Sequence, residues 1–338
     1  MNGQQQMPRW QQVLVAAGKA IAYLAVFLGW QMVVYTVYST SIAMELMMQG
    51  LYDQLATQIY WLLLSKVSEI SLISGLLTLG TLALAFKLRR RSPLGEVWLR
   101  RAPGAVLGWG AGLAFCLYWL VTLVLAYLPE SWMSSYVDAS ASLEEVSVMA
   151  FLSTALVAPV VEEVVFRGLI YTRLQRAMDA RWAVVVSAAV FGACHGELVW
   201  FCYAFVLGLI FAQLTRHTGS ILPSMVMHVV FNATGQLVSL VFPEGIGIAV
   251  FLVILLLATG GTAFCAIQVR AAVIQMPRSG AQPEPAKAPE GHRTPARPVQ
   301  AQRPTGEPRE EAPRSPRTQG AAWDEDSGPN HRFPPGVV

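Results

Sequence analysis

The residues of this chain best suited to chemistry are ionisable and amide side chains set inside apolar runs. Glu162, Glu163 and Arg167 share one run, His195 closes another, and His228 and Asn232 share a third. Carboxylate and imidazole groups exchange protons, and amides donate hydrogen bonds. Within a bilayer each ionisable group costs on the order of 3 kcal/mol even on the lenient insertion scale, so each asks for a partner or a task.

Spacing suggests how they sort. Glu163 and Arg167 stand four apart and pair on one helical face, which offsets much of their burial cost, while Glu162 lies about 100° around and stays free. His228 and Asn232 repeat the four-residue spacing, as do Phe191 and His195. Three helices therefore aim polar groups at one prospective cavity. Glu162 precedes Arg176 by 14 residues and His195 follows Arg181 by 14, which places both about 21 Å from one boundary at about 1.5 Å per residue. His228 and Asn232 fall at about 13 and 20 Å from Gly219 by the same count. Pro159 cannot donate to the Ala155 carbonyl, so this helix should bend or leave that oxygen to a water. Taken singly, each residue has a plainer explanation: a packed histidine bonded to a carbonyl, or a Glu/Arg staple. Matching depth on three helices favours a site. Lys66 and Glu69 have no such company and read as a local pair.

The elements that must position these groups follow from composition. Hydrophobic residues make up 54% of the 338 and charged residues only 13%, too apolar a balance for an ordinary soluble domain. Eight apolar segments, near 13–38, 59–86, 103–128, 146–170, 182–196, 198–215, 219–241 and 247–269, read as spans of a hydrocarbon core of roughly 30 Å. The first exceeds a signal-peptide core and reads as a retained helix. The fifth is short at about 21 Å, so its turn at Gly196-Glu197 is expected within the membrane. The fold class is thus all-α: a polytopic membrane helix bundle of about eight transmembrane helices with a disordered C-terminal tail. Residues 1–145 hold the first three helices, 146–241 a core of helices four to seven, 242–276 the last helix and 277–338 the tail.

Lys and Arg crowd 87–101 and 173–181, whereas the alternate connections carry only acidic charge, so both termini are expected in the cytoplasm. The expected location is a bacterial inner membrane. The tail holds 13 of the 20 prolines; its Pro-x-x-P runs at Pro295–Pro298 and Pro313–Pro316 fit polyproline ligands for a soluble partner, although chance occurrence in so proline-rich a stretch explains them more plainly. The partners implied are the lipid bilayer, a peptide or protein substrate and an accessory membrane protein. Nucleic acid is excluded, because a net charge of +3 comes with no basic stripe. The four cysteines lie in apolar runs without a Cys-x-x-Cys pair, so packing is their expected job. Cys194 directly precedes His195, and adjacent helical residues point too far apart to form a thiol dyad.

Glu162-Glu163-Val-Val-Phe-Arg167, Phe191-Gly-Ala-Cys-His195 and His228-Val-Val-Phe-Asn232 resemble, in order and spacing, the three motifs of the CPBP intramembrane proteases. This family, also called Abi, comprises CAAX prenyl endopeptidases and bacteriocin-processing or immunity homologues. The resemblance covers about residues 146 to 240. It implies an eight-helix bundle in which Glu162 is the general base, His195 holds or polarises the water, His228 with Asn232 stabilises the oxyanion, and Glu163 with Arg167 braces the site. Two cofactor readings stay open: a zinc ion or other divalent metal on Glu162, His195 and His228, or a metal-free glutamate mechanism with the same residues. A His-Glu-x-x-His helix is absent. The rival functions are a non-catalytic scaffold or immunity protein of the same family, and a transporter using its carboxylates as a relay. Neither a Gly-x-Ser-Gly nor a Gly-x-Gly-Asp element marks a serine or aspartyl intramembrane protease.

Overall fold

The computed structural model describes residues 7–53, 55–140, 147–241 and 247–276. The Pro-rich tail, and Glu144, Glu145 and Glu244 of the acidic connections, lie outside them. The described residues form helices and no strand: α1 (Arg9–Met48), α2 (Leu55–Ser65), α3 (Val67–Leu88), α4 (Gly104–Ala126), α5 (Glu130–Ser140), α6 (Val148–Leu174), α7 (Ala180–Ala193), α8 (Leu198–Thr218), α9 (Leu222–Val241) and α10 (Ile248–Ile274). Seven of them, α1, α3, α4, α6, α8, α9 and α10, are long and apolar enough to cross a membrane. The eighth expected span is α7, whose 14 residues rise only about 21 Å. The chain is an integral membrane protein with an all-α bundle.

Two segments depart from the expected spans. The run at 59–86 is not one helix, because the backbone breaks at Lys66 (φ −105°, ψ 4°) and divides it into α2 and α3. Lys66 bonds to Glu69 at 2.9 Å and Tyr38 donates to the same carboxylate at 3.1 Å, so the break carries its charges as a local cluster. The first span is longer than expected: α1 has 40 residues, about 60 Å of helix, or twice the hydrocarbon thickness.

The most enclosed element is α6. Ala155, Val165, Leu169 and Tyr171 are fully buried, the last three packed among Phe27 and Phe86 of the first helices and Val184 and Phe191 of α7. Around Pro159 this helix is underwound in two stretches, Phe151–Val157 and Glu163–Tyr171, where the hydrogen bonds span five residues rather than four. Ala158 N–H accordingly donates to the Ser153 carbonyl. The five-residue partner of the Thr154 carbonyl is then Pro159, which has no N–H. The oxygen left over is that of Thr154, one residue before the Ala155 expected from four-residue spacing.

The remaining elements hold α6 to α9 in place. Asp179 caps α7 by accepting from Arg181 N–H at 2.8 Å, and Glu197 caps α8 by accepting from Trp200 N–H at 2.9 Å. Between α7 and α8, Gly196 takes a left-handed φ of 73° that permits the tight reversal. The connection before α4 steadies the start of α9, since Ile221 N–H donates to the Trp98 carbonyl at 3.1 Å and Ser220 Oγ to the Arg100 carbonyl at 2.7 Å. On the far side, α4 and α10 pack through the same pentad, Gly-x-Ala-Phe-Cys, at 112–116 and 261–265. A Cβ at Gly112 would lie 3.1 Å from Cys265 Sγ and one at Gly261 2.7 Å from Cys116 Sγ, so each thiol fills the notch over the other helix's glycine.

Candidate active site

Glu162, His195, His228 and Asn232, from α6, the end of α7 and α9, line one cavity of about 1010 Å³. The depth argument from sequence anticipates this meeting. Aromatic side chains supply much of the wall, including Phe166, Phe191 and Phe211 beside the polar groups and Tyr118, Tyr136 and Trp200 farther along.

The two adjacent glutamates occupy different environments. Glu162 keeps 21% of its side-chain surface exposed, whereas Glu163 keeps none. Glu163 Oε1 accepts from Arg167 Nη1 at 2.8 Å and bonds to His228 Nδ1 at 3.1 Å. A carboxylate paired to a guanidinium accepts only, so the proton in the second bond belongs to Nδ1. That leaves His228 Nε2 turned to Glu162, 3.6 Å from its Oε2. Glu163 and Arg167 therefore stand behind the cavity, and His228 joins them to Glu162.

Arg167 is fully buried, with its guanidinium carbon 4.1 Å from the centroid of the Phe191 ring and 5.2 Å from that of Phe211. Its Nε and Nη2 find no hydrogen-bond partner among the described residues, and the two π faces take their place. Gly208 lets α8 approach this closely, since a Cβ there would lie 3.3 Å from Nη2 and 3.1 Å from Ala188 Cα. Two residues beyond the end of α7, His195 has Nδ1 on the Phe191 carbonyl at 2.9 Å, which leaves Nε2 without a hydrogen bond among the described residues. Asn232 Nδ2 donates to the orphaned Thr154 carbonyl at 2.9 Å, so half of its amide is committed to the backbone of α6 and half is left over. Cys194 also lines the cavity, but no hydrogen bond among the described residues joins it to His195.

Glu162, His195 and His228 do not gather as a ligand set: among the described residues no three His, Cys, Asp or Glu side chains form a metal-holding group.

Residues 144–234 match the family model described as type II CAAX prenyl endopeptidase Rce1-like. No curated protein and no solved structure matches the chain. The Rce1-like match bears out the resemblance carried by the three motifs, and with the apolar helices it supports an intramembrane endopeptidase. It takes in α6 to α8 and most of α9, hence all six residues singled out by spacing. Parts of the cavity wall lie outside it, on α1, α3, α4 and α5. Sequence reasoning missed these. The available signals are Gln31, a lone amide in the apolar run of α1, and Ser68, Ser71 and Ser74, serines three apart on α3. Outside the spans, α5 docks on α8 through Ser135 Oγ, which donates to Glu197 at 3.0 Å, and through Tyr136 edge-on to Trp200. Burial pushes the Tyr136 hydroxyl's pKa up, so it remains a hydrogen-bond donor.

Proposed function

We propose that this protein is an intramembrane endopeptidase that hydrolyses a peptide bond of a membrane-associated protein or peptide, with Glu162 as general base. The observation that carries the assignment is the contrast between the glutamates: Glu162 faces the cavity and Glu163 is sealed against Arg167 and His228. Only the former can meet a substrate and a water.

In this reading His195 Nε2 and the Glu162 carboxylate hold the attacking water, and Glu162 takes its proton as oxygen adds to the peptide carbon. The proton passes to His228 Nε2 across the 3.6 Å gap. The resulting imidazolium is stabilised through Nδ1 by Glu163 and donates toward the oxyanion together with the uncommitted N–H of Asn232. Collapse of the adduct sends that proton to the leaving amine, so base and acid return to their starting forms. Fixed donors in a water-poor cavity need little reorganisation, which is where they act most strongly.

The substrates that suit such a site are a prenylated CAAX-type C-terminus, a leader peptide or a sorting tail. The protein sits in a bacterial inner membrane with both termini in the cytoplasm, a placement supported by the Lys and Arg of 87–101 and 173–181 on one side of the span count. Comparing the membrane proteome of cells bearing the native protein with that of cells bearing Glu162→Gln tests the function. New termini should appear only with the native protein; identical termini would leave the family's non-catalytic scaffold role, or transport, as the reading.

A further inference from the structure

The cavity has an annex between α1, α3 and α6, lined by Phe27, Gln31, Ser71, Ser74 and Glu162 with Gly75 at its back. The annex offers about 20 Å³, above the roughly 10–15 Å³ that one water occupies by this measure. Its polar groups keep bonding capacity that no protein group among the described residues takes up. Among the described residues nothing bonds the Gln31 amide or the Ser71 hydroxyl, and buried Ser74 uses only its proton, donated to the Ser71 carbonyl at 3.1 Å. An amide left unsatisfied in an apolar span costs about 1–3 kcal/mol, a cost that a water removes. Gln31, Ser71, Ser74 and the Glu162 carboxylate provide the two to four contacts that a buried water requires. Ser68, two residues past the break at Lys66, lines the main cavity on the same stripe of α3, so a polar edge about 9 Å long leads toward the annex.

We infer that Gln31, Ser71 and Ser74 hold a water against Glu162 and form a reservoir for the hydrolytic water. Hydrolysis consumes one water per bond, and the surrounding hydrocarbon supplies none. These three are positioning residues contributed by helices outside the Rce1-like segment. Occupancy of the annex stands on geometry alone; its use as a supply rests on the endopeptidase reading.

Infrared difference spectroscopy of the purified, detergent-solubilised protein separates the two. The native minus Glu162→Gln spectrum should contain a water O–H stretch that moves in oxygen-18 water, and a Glu162 carboxyl band. Repeating the subtraction in a Gln31→Met/Ser71→Ala background should lose the first and shift the second, while Ser71→Thr keeps both. Ser71→Ala alone serves if the double variant does not fold. With a prenylated CAAX-terminated peptide as probe, the double variant should lose about tenfold in kcat with KM within twofold of native. An isotope-sensitive band that is missing from the native protein, or unchanged in the variant, overturns the reservoir whatever the turnover. If the band behaves as expected and the native protein cleaves neither this probe nor any membrane protein, the bound water stands, and its use as a supply falls with the endopeptidase reading.

Discussion

Asn232 Nδ2 donates at 2.9 Å to the Thr154 carbonyl, the oxygen that the underwound α6 directs at a proline nitrogen. A side chain on α9 thus repairs a defect in the backbone of α6, and the repair fixes the amide beside Glu162 and His228. Asn232→Ala should cost about 1–3 kcal/mol by stranding that carbonyl, and should lower turnover as well. Pro159→Ala returns an N–H that can serve it. In the Asn232→Ala background Pro159→Ala should therefore recover stability without recovering activity. Equal effects of Pro159→Ala in both backgrounds, in a double-mutant cycle of detergent unfolding, would refute the coupling.

The two glutamates should separate experimentally. Glu162→Gln removes the base and should lower cleavage about 100-fold or more, with unfolding close to native because Glu162 makes no hydrogen bond under 3.5 Å among the described residues. Glu163→Gln leaves Arg167 buried without its counter-ion, which should destabilise the fold by about 3–5 kcal/mol. Equal unfolding midpoints for the two variants would contradict the arrangement.

The guanidinium of Arg167 lies against two aromatic faces, a geometry an ammonium does not reproduce. Arg167→Lys should lower stability and yield despite keeping the charge. Gly208→Val places bulk against Arg167 Nη2 and Ala188 and should cost about 1–3 kcal/mol. Native unfolding midpoints for both would show that the sandwich contributes nothing.

Metal removal tests the donor arrangement. Because Glu162, His195 and His228 do not form a ligand group, protein dialysed against a strong chelator should keep its cleavage rate. Loss of activity that returns on adding zinc would mean that the three side chains regroup around an ion.

The orientation of the bundle can be read by fusions. Reporters after Gly50 and Val137 should both register outside the cytoplasm, because the basic stretches 87–101 and 173–181 lie on the opposite side of the span count. A cytoplasmic signal at either position would require a different path for α2 or α5.

The features legible in the sequence were those set by local spacing. Glu163 with Arg167, and His228 with Asn232, declare their pairing through one helical turn, and equal offsets from basic helix ends placed Glu162 and His195 at one level. The sealing of Glu163 depends on His228, 65 residues away, and on aromatic rings from α7 and α8, which helical period cannot reveal. Four-residue spacing singled out the Ala155 oxygen; underwinding of α6 shifted the orphan to Thr154. The break at Lys66 was hidden because apolar residues continue on both sides of it. Gln31 is conspicuous in sequence, but its relation to Glu162 arises only when α1 and α6 lie together.

The interlocking pentads of α4 and α10 bear on the order in which the protein is made. Gly112 and its partner Gly261 are separated by 149 residues of chain, so at roughly 5–20 residues per second α4 waits on the order of 7–30 s for the helix that covers it. During that interval its glycine notch is open to the membrane and to any other nascent helix. Ribosomes stalled before residue 261 should therefore leave an intermediate whose α4 crosslinks to neighbouring chains, and the contact should vanish once α10 has been inserted.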